Sequence, residues 1–212
     1  MILYDYFRSS ASYRVRIALN LKGLALAERR SIHLRRGEQR APEYLDLNPQ
    51  GFVPLLVVGN RRLAQSLAII EYLEEKHPQP PLLPPGAEDR AWVRSIALAI
   101  ACDIHPIDNL RVLKYLARPL GIDEPARDEW YRHWVREGFD ALERQLAERP
   151  AGGFCFGDTP TMADVCLVPQ VANANRLSVD LAPYPRIRAI NDACLALPAF
   201  DAARPENHPD RE

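Results

Sequence analysis

Arg8, Ser9, Ser10 and Ser12 crowd into the stretch FRSSASYR, where a short apolar run ends and a helical pattern begins. The first turn of a helix leaves backbone N–H groups unpaired and carries the positive end of the helix dipole, so it favours an anion. A serine hydroxyl there can cap the helix. It can equally donate to a bound thiolate and keep it ionised. No G-x-S-x-G elbow and no obvious histidine partner accompany these serines, which speaks against a serine nucleophile.

Four further stretches carry candidate chemistry. In GFVPLL, Val53 and Pro54 precede a strand. The proline is either an edge device or a cis peptide that exposes the Val53 main chain to a peptide-like ligand. In AQSLAII, Gln65 and Ser66 lie where a strand feeds a helix, and Ser66 is the expected N-cap. Capping is compatible with binding a ligand carboxylate at the same N–H cluster. CDIHPIDNLRVL gathers His105, Asp108, Asn109 and Arg111 around a helix-kinking Pro106. QVANANR ends an apolar helix on Arg176, where the dipole alone would favour a cation. Taken singly, each has a purely structural reading. No His/Cys/carboxylate cluster has metal-ligand spacing, so no metal is expected.

The elements that must position these residues follow from period and punctuation. Before the proline-rich stretch KHPQPPLLPPGAED the pattern reads βαβαββα. It runs from a strand in MILYDY to a helix ended by Gly23, then a second strand in ALAERRSIHL and a short helix in APEYLDLNP. A hairpin turning at Gly59-Asn60 and a helix from Ser66 complete it. This predicts a mixed four-stranded sheet with helices on its faces. In the first helix Val15, Ala18, Leu19 and Leu21 are expected to face the core, with Arg14 and Arg16 pointing elsewhere. After the prolines only helical signals appear. There is one long pattern over 88–117 interrupted by Pro106, another over 126–148, and a capping box Thr161-x-x-Asp164 ahead of an apolar run. A last helix lies in YPRIRAINDACLAL, with a polar tail after it. The expected domains are therefore 1–80, a linker over 81–88, and an all-α domain over 89–212.

With 212 residues and a formal net charge of −1, the chain has no global basic field for nucleic acid. It also has no apolar run long enough to span a bilayer and no signal-peptide pattern at its start. Cys102, Cys155, Cys166 and Cys194 lie far apart and read as free buried thiols, consistent with the cytoplasm.

Together, SSASYRVRIAL, NPQGFVPLL, QSLAIIEYLEE, CDIHPIDNLRVL, GDTPTMADVCLVPQVANANR and PYPRI resemble the zeta class of glutathione transferases, the maleylacetoacetate and maleylpyruvate isomerases. The resemblance covers almost the whole chain. It implies a thioredoxin-like N-terminal domain, an all-α C-terminal domain and a homodimer. It implies that the Val53–Pro54 peptide is cis, that Val53 pairs with the glutathione cysteinyl backbone like an added strand, and that Gln65 and Ser66 bind the γ-glutamyl carboxylate. Thr161 and Asp164 match the family's folding motif.

Ser9 and Ser10 match the class's SSC motif, whose first serine is held to stabilise the glutathione thiolate; Ser9 is favoured here, then Ser10, with Ser12 retained. The motif's cysteine is Ala11 in this chain, which leaves glutathione as the sole nucleophile. In the implied reaction the thiolate adds to a cis double bond conjugated to a ketone, the resulting single bond rotates, and the thiolate leaves. Glutathione is a cofactor that is not consumed. The small dicarboxylate substrate calls for bidentate cations, for which Arg8 and Arg176 are the candidates, with His105 and Arg111 beside them. Asp108 and Asn109 are placed against glutathione. The substrate expected is maleylacetoacetate, with maleylpyruvate as the alternative. A transferase or haloacid dehalogenase using the same thiolate is another, and a non-enzymatic binding protein ranks last.

Overall fold

The computed structural model describes residues 1–148 and 152–211, so Glu212, the end of the expected tail, lies outside them. The chain divides into two compact units, Met1–Leu82 with Ala196–Glu212, and Leu83–Leu195.

In the first unit the order is β1 (Ile2–Asp5), α1 (Ser10–Leu21), β2 (Glu28–Ser31), α2 (Pro42–Leu45), β3 (Leu55–Val58), β4 (Arg61–Ala64) and α3 (Ser66–Lys76). The strands form one sheet in the order β2-β1-β3-β4, parallel between β1 and β2 and antiparallel elsewhere. This is the expected βαβαββα. Leu3, Leu55 and Leu56 of the sheet are buried, as are Val15, Ile17, Ala18 and Leu19 of α1 and Ile69, Ile70 and Leu73 of α3. Lys22 closes the end of α3, donating to Glu74 Oε2 at 2.7 Å and to the carbonyls of His77 and Pro80 at 2.7 and 2.9 Å.

Three expectations are corrected here. Arg14 and Arg16 do not point outward; they are 1% and 2% exposed. The Arg16 guanidinium is accommodated because Asp5 and two carbonyls of the β1–α1 turn accept from it, while Arg14 donates through Nη1 to Ser66 Oγ. The polar tail, expected within the second domain, belongs to the first unit. Residues 196–211 pack on the first unit, with α10 (Pro198–Asp201) against α1, because Ala203 and His208 bury themselves beside Arg16 and Asp5. Ser66 is not the N-cap of α3 but its first residue, the cap being Gln65 at φ 70°.

The second unit is helical: α4 (Ala87–Leu98), a π-helical turn (Ala99–Ile104), α5 (His105–Ile107), α6 (Leu110–Ala117), α7 (Glu124–Ala147), α8 (Met162–Arg176) and α9 (Pro185–Leu195). The single long pattern over 88–117 is thus broken into four pieces, with the widened turn just ahead of Pro106, where the ring removes an i→i−4 bond. Helix α8 is buried along nearly its whole length. At its start the Asp164 carboxylate accepts from Thr161 N at 2.7 Å, Thr161 Oγ1 at 2.8 Å and Cys155 N at 2.7 Å, so the capping box also ties down the preceding loop. Cys155, Cys166 and Cys194 are buried free thiols as expected, whereas Cys102 is exposed on the π turn. Burial pushes the Cys155 and Cys194 thiols up, which leaves them inert.

Candidate functional site

In the first unit the sheet register brings three of the candidate stretches to one end. Tyr4 pairs with Leu55, and Leu55 pairs with Ala64. The exit of β1, the entry of β3 and the exit of β4 therefore lie side by side. From them spring the turn ending in Ser9, the cis Val53–Pro54 peptide and the Gln65–Ser66 helix start.

Ser9 is the N-cap of α1. Its Oγ accepts from Ser12 N at 3.2 Å, its own N–H donates to Tyr6 O at 2.9 Å, and its carbonyl accepts from Tyr13 N at 2.8 Å. The hydroxyl hydrogen is left over for an acceptor beyond the helix end, where the dipole favours negative charge. Ser10 is 6% exposed and Ser12 fully enclosed. Of the three serines, Ser9 is the one that presents a hydroxyl at the helix end. Arg8 beside it is exposed, its guanidinium 5.3 Å from the centroid of the Phe7 ring.

Val53 lies ahead of the paired stretch of β3, which begins at Leu55. The loop before it is fixed by Tyr44 Oη and Asn48 Nδ2, which donate to Phe52 O at 2.6 and 2.8 Å. Gln65 donates to Gln50 Oε1 at 2.9 Å, and Ser66 Oγ accepts from Arg14 Nη1 at 3.2 Å. Arg14 therefore supports the N-terminal end of α3, a role that pattern reading misses because a charged residue in an amphipathic helix is assigned to the surface.

In the second unit, Asn109 caps α6, its Oδ1 accepting from Arg111 N at 3.1 Å; His105 is half-buried and Arg111 exposed. Trp130 Nε1 donates to Ile107 O at 3.1 Å and holds this turn against α7. The exposed Arg176 guanidinium lies 5.7 Å from the centroid of the Tyr131 ring. Tyr131 is a partner the sequence reading misses. Its phenol is pushed up by burial, against the pull of the Arg176 charge.

Asp108 is 4% exposed, and neither carboxyl oxygen has a hydrogen-bond partner among the described residues. Burial pushes its carboxyl up to about 8. The unfolded group ionises near 3.8, so between these values the folded chain holds a proton that the unfolded chain has released. Unfolding free energy therefore falls as pH rises through that window. Asp108→Asn is expected to flatten the decline and raise the melting temperature at pH 8 by more than about 3 °C, with little change near pH 4. Melting curves at the two pH values check this, and equal slopes for parent and variant would contradict it.

Among the described residues no three His, Cys, Asp or Glu side chains gather as a metal ion requires, and no helix is long and apolar enough to cross a membrane.

The family model for the glutathione S-transferase N-terminal domain matches residues 8–76, and that for the C-terminal domain matches residues 124–190. The chain is 50% identical over 212 residues to a probable maleylacetoacetate isomerase of Vibrio cholerae serotype O1, covering 99% of this chain and 98% of that protein. It is similar to the holo structure of a maleylpyruvate isomerase, a bacterial zeta-class glutathione S-transferase, with TM-score 0.98, 50% identity and complete coverage of both chains. A maleylacetoacetate isomerase from Methylobacterium extorquens AM1, solved with bound malonate and glutathione, superimposes with TM-score 0.95 at 38% identity over all of both chains.

Proposed function

The chain belongs to the glutathione S-transferase family, and within it we propose a zeta-class, glutathione-dependent cis–trans isomerase that converts maleylacetoacetate to fumarylacetoacetate. Maleylpyruvate is the second candidate substrate, because the chain is equally similar to a relative of each name. The observation that carries this reading is the convergence of the Ser9 turn, Val53–Pro54 and Gln65–Ser66 at one end of the sheet.

These residues suit glutathione. The main chain at Val53, unpaired with the sheet, matches a peptide. The open N-terminus of α3 with the Ser66 hydroxyl matches a carboxylate. The capped N-terminus of α1 with the free Ser9 hydrogen matches a thiolate. When bound, glutathione supplies the sulfur nucleophile that adds reversibly to the conjugated cis double bond. Ser9 holds that sulfur ionised by donating a hydrogen bond at a point where the helix dipole adds to it; a free thiol titrates near ~8.5. Arg8 and Arg176 hold the substrate carboxylates and stabilise charge that develops on the ketone oxygen. Asn109 serves glutathione, and His105 and Arg111 serve the substrate; the Asp108 carboxyl, expected beside Asn109, is enclosed and not available to glutathione. The assembled enzyme is a homodimer that works in the cytoplasm.

The test mixes purified protein with maleylacetoacetate or maleylpyruvate and follows ultraviolet absorbance with and without catalytic glutathione, with total thiol assayed alongside. Isomerisation that needs glutathione but leaves thiol constant is expected, and the faster substrate assigns the reaction. Absence of turnover with both substrates refutes the reading.

A further inference from the structure

Asp5, Arg16 and His208 form a buried cluster beneath the Ser9 turn that the mechanism above does not use. Asp5 ends β1 with no exposure, and Arg16 on α1 reaches its Oδ2 at 3.1 Å. The rest of the guanidinium is spent on main chain. Nη2 donates to Phe7 O at 3.0 Å, Nη1 lies 3.5 Å from Tyr6 O, and Nε donates to Ala203 O at 3.0 Å. Tyr6 O is also the acceptor of Ser9 N–H. One side chain therefore fixes two of the three carbonyls that precede Ser9 and joins them to the C-terminal segment.

The segment adds a second hold. His208 is enclosed, with its Nδ1 accepting the Asp210 N–H at 3.1 Å. That assigns the ring proton to Nε2, which faces Asp5 Oδ2 at 3.4 Å. Burial alone would raise the Asp5 carboxyl. His208 and the charges of Arg16 and, from β2, Arg29 more than offset it and hold the group below its ordinary range. Asp5 is therefore a carboxylate that keeps Arg16 in place, and His208 orients Asp5.

We propose that Arg16 is a positioning residue for the isomerisation: clamped by Asp5 and by the C-terminal segment through Ala203 and His208, it sets the Tyr6–Ser9 turn and hence the aim of the Ser9 hydroxyl at the bound thiol. The end of the chain thereby tunes the cofactor's ionisation. This rests on the isomerase reading, with Ser9 as the thiolate donor.

The test titrates the thiol of bound glutathione by its ultraviolet thiolate band, with kcat and KM measured across pH. In Arg16→Lys, a single ammonium cannot hold Asp5 and three carbonyls in one plane. The thiol midpoint should move up, kcat at pH 7 should fall about tenfold, and KM for glutathione should change by less than about twofold. His208→Ala should move the same readings in the same direction by a smaller amount, and His208→Gln, which keeps an N–H toward Asp5, should recover most of the loss. In a Ser9→Ala background, Arg16→Lys should add nothing further, since both act on one hydroxyl.

An unshifted thiol in the unaltered protein overturns the isomerase reading itself. A lowered thiol in the unaltered protein that Arg16→Lys and His208→Ala leave unchanged overturns the positioning role alone, as does full additivity with Ser9→Ala. Should Arg16→Lys fail to fold, the two His208 variants decide the matter.

Discussion

Replacing Ser9 with alanine is expected to lower kcat about 10²–10³-fold, the usual effect of removing one donor aimed at developing or resident negative charge. The acidic limb of the kcat/KM profile should move to higher pH, because a thiol that loses its donor ionises less readily. The sign is fixed by the chemistry: the reaction needs the ionised sulfur, so a raised thiol pKa removes activity first at low and neutral pH and leaves the alkaline plateau closest to the parent. A separate loss in stability, about 1 kcal/mol, should accompany it, since the same oxygen accepts from Ser12 N and caps α1. Ser9→Thr keeps the hydroxyl and should retain most of both functions. Denaturant melts alongside pH-resolved kinetics separate the two roles. A Ser9→Ala protein with parent kcat at neutral pH would remove Ser9 from the mechanism and send the search to Ser10.

Arg176→Ala carries the second large expectation. A charge-assisted bond to a carboxylate contributes about 1.5–3 kcal/mol, so kcat/KM for the dicarboxylate should fall about 10–100-fold. Affinity for glutathione alone should barely change. Arg176→Lys should recover only part of the loss, because an ammonium restores the charge without the planar fork and stacks less well over Tyr131. Isothermal titration with glutathione, beside steady-state kinetics with the substrate, distinguishes the two. Equal losses in both would assign Arg176 to the cofactor.

Much of this architecture was legible because it is written locally. The alternation of MILYDY and VPLLVV with amphipathic helices, the Gly59-Asn60 turn and the Thr161-x-x-Asp164 box each act within a few residues, and the strands, hairpin and cap appear where those signals lie. The failures share one cause. Charge in a helical pattern reads as surface, but oxygen partners from distant parts of the chain reach Arg14 and Arg16 inside, Ser66 from 52 residues away and Ala203 from 187, while the Asp5 carboxylate balances the Arg16 charge. The tail reads as polar for the same reason: enclosed His208 faces Asp5, a residue from the other end of the chain. Gln65 took the capping position from Ser66 through an unusual backbone angle that side-chain preference does not encode. Tyr131 carries no local signal because its place beside Arg176 depends on a second helix.

The capping box at the start of α8 has a mechanical consequence. Helix α8 runs from Met162 to Arg176, so its 15 residues make a rod about 22 Å long, held at its start by Asp164 and carrying at its end the guanidinium proposed to bind substrate. Such a rod is a lever. A tilt of about 5° at the pinned end swings the tip by about 2 Å, enough to take an arginine fork out of register with a carboxylate. Damage at Thr161 or Asp164 would then be read twice, in a melting curve as lost stability and in kinetics as poor substrate recognition.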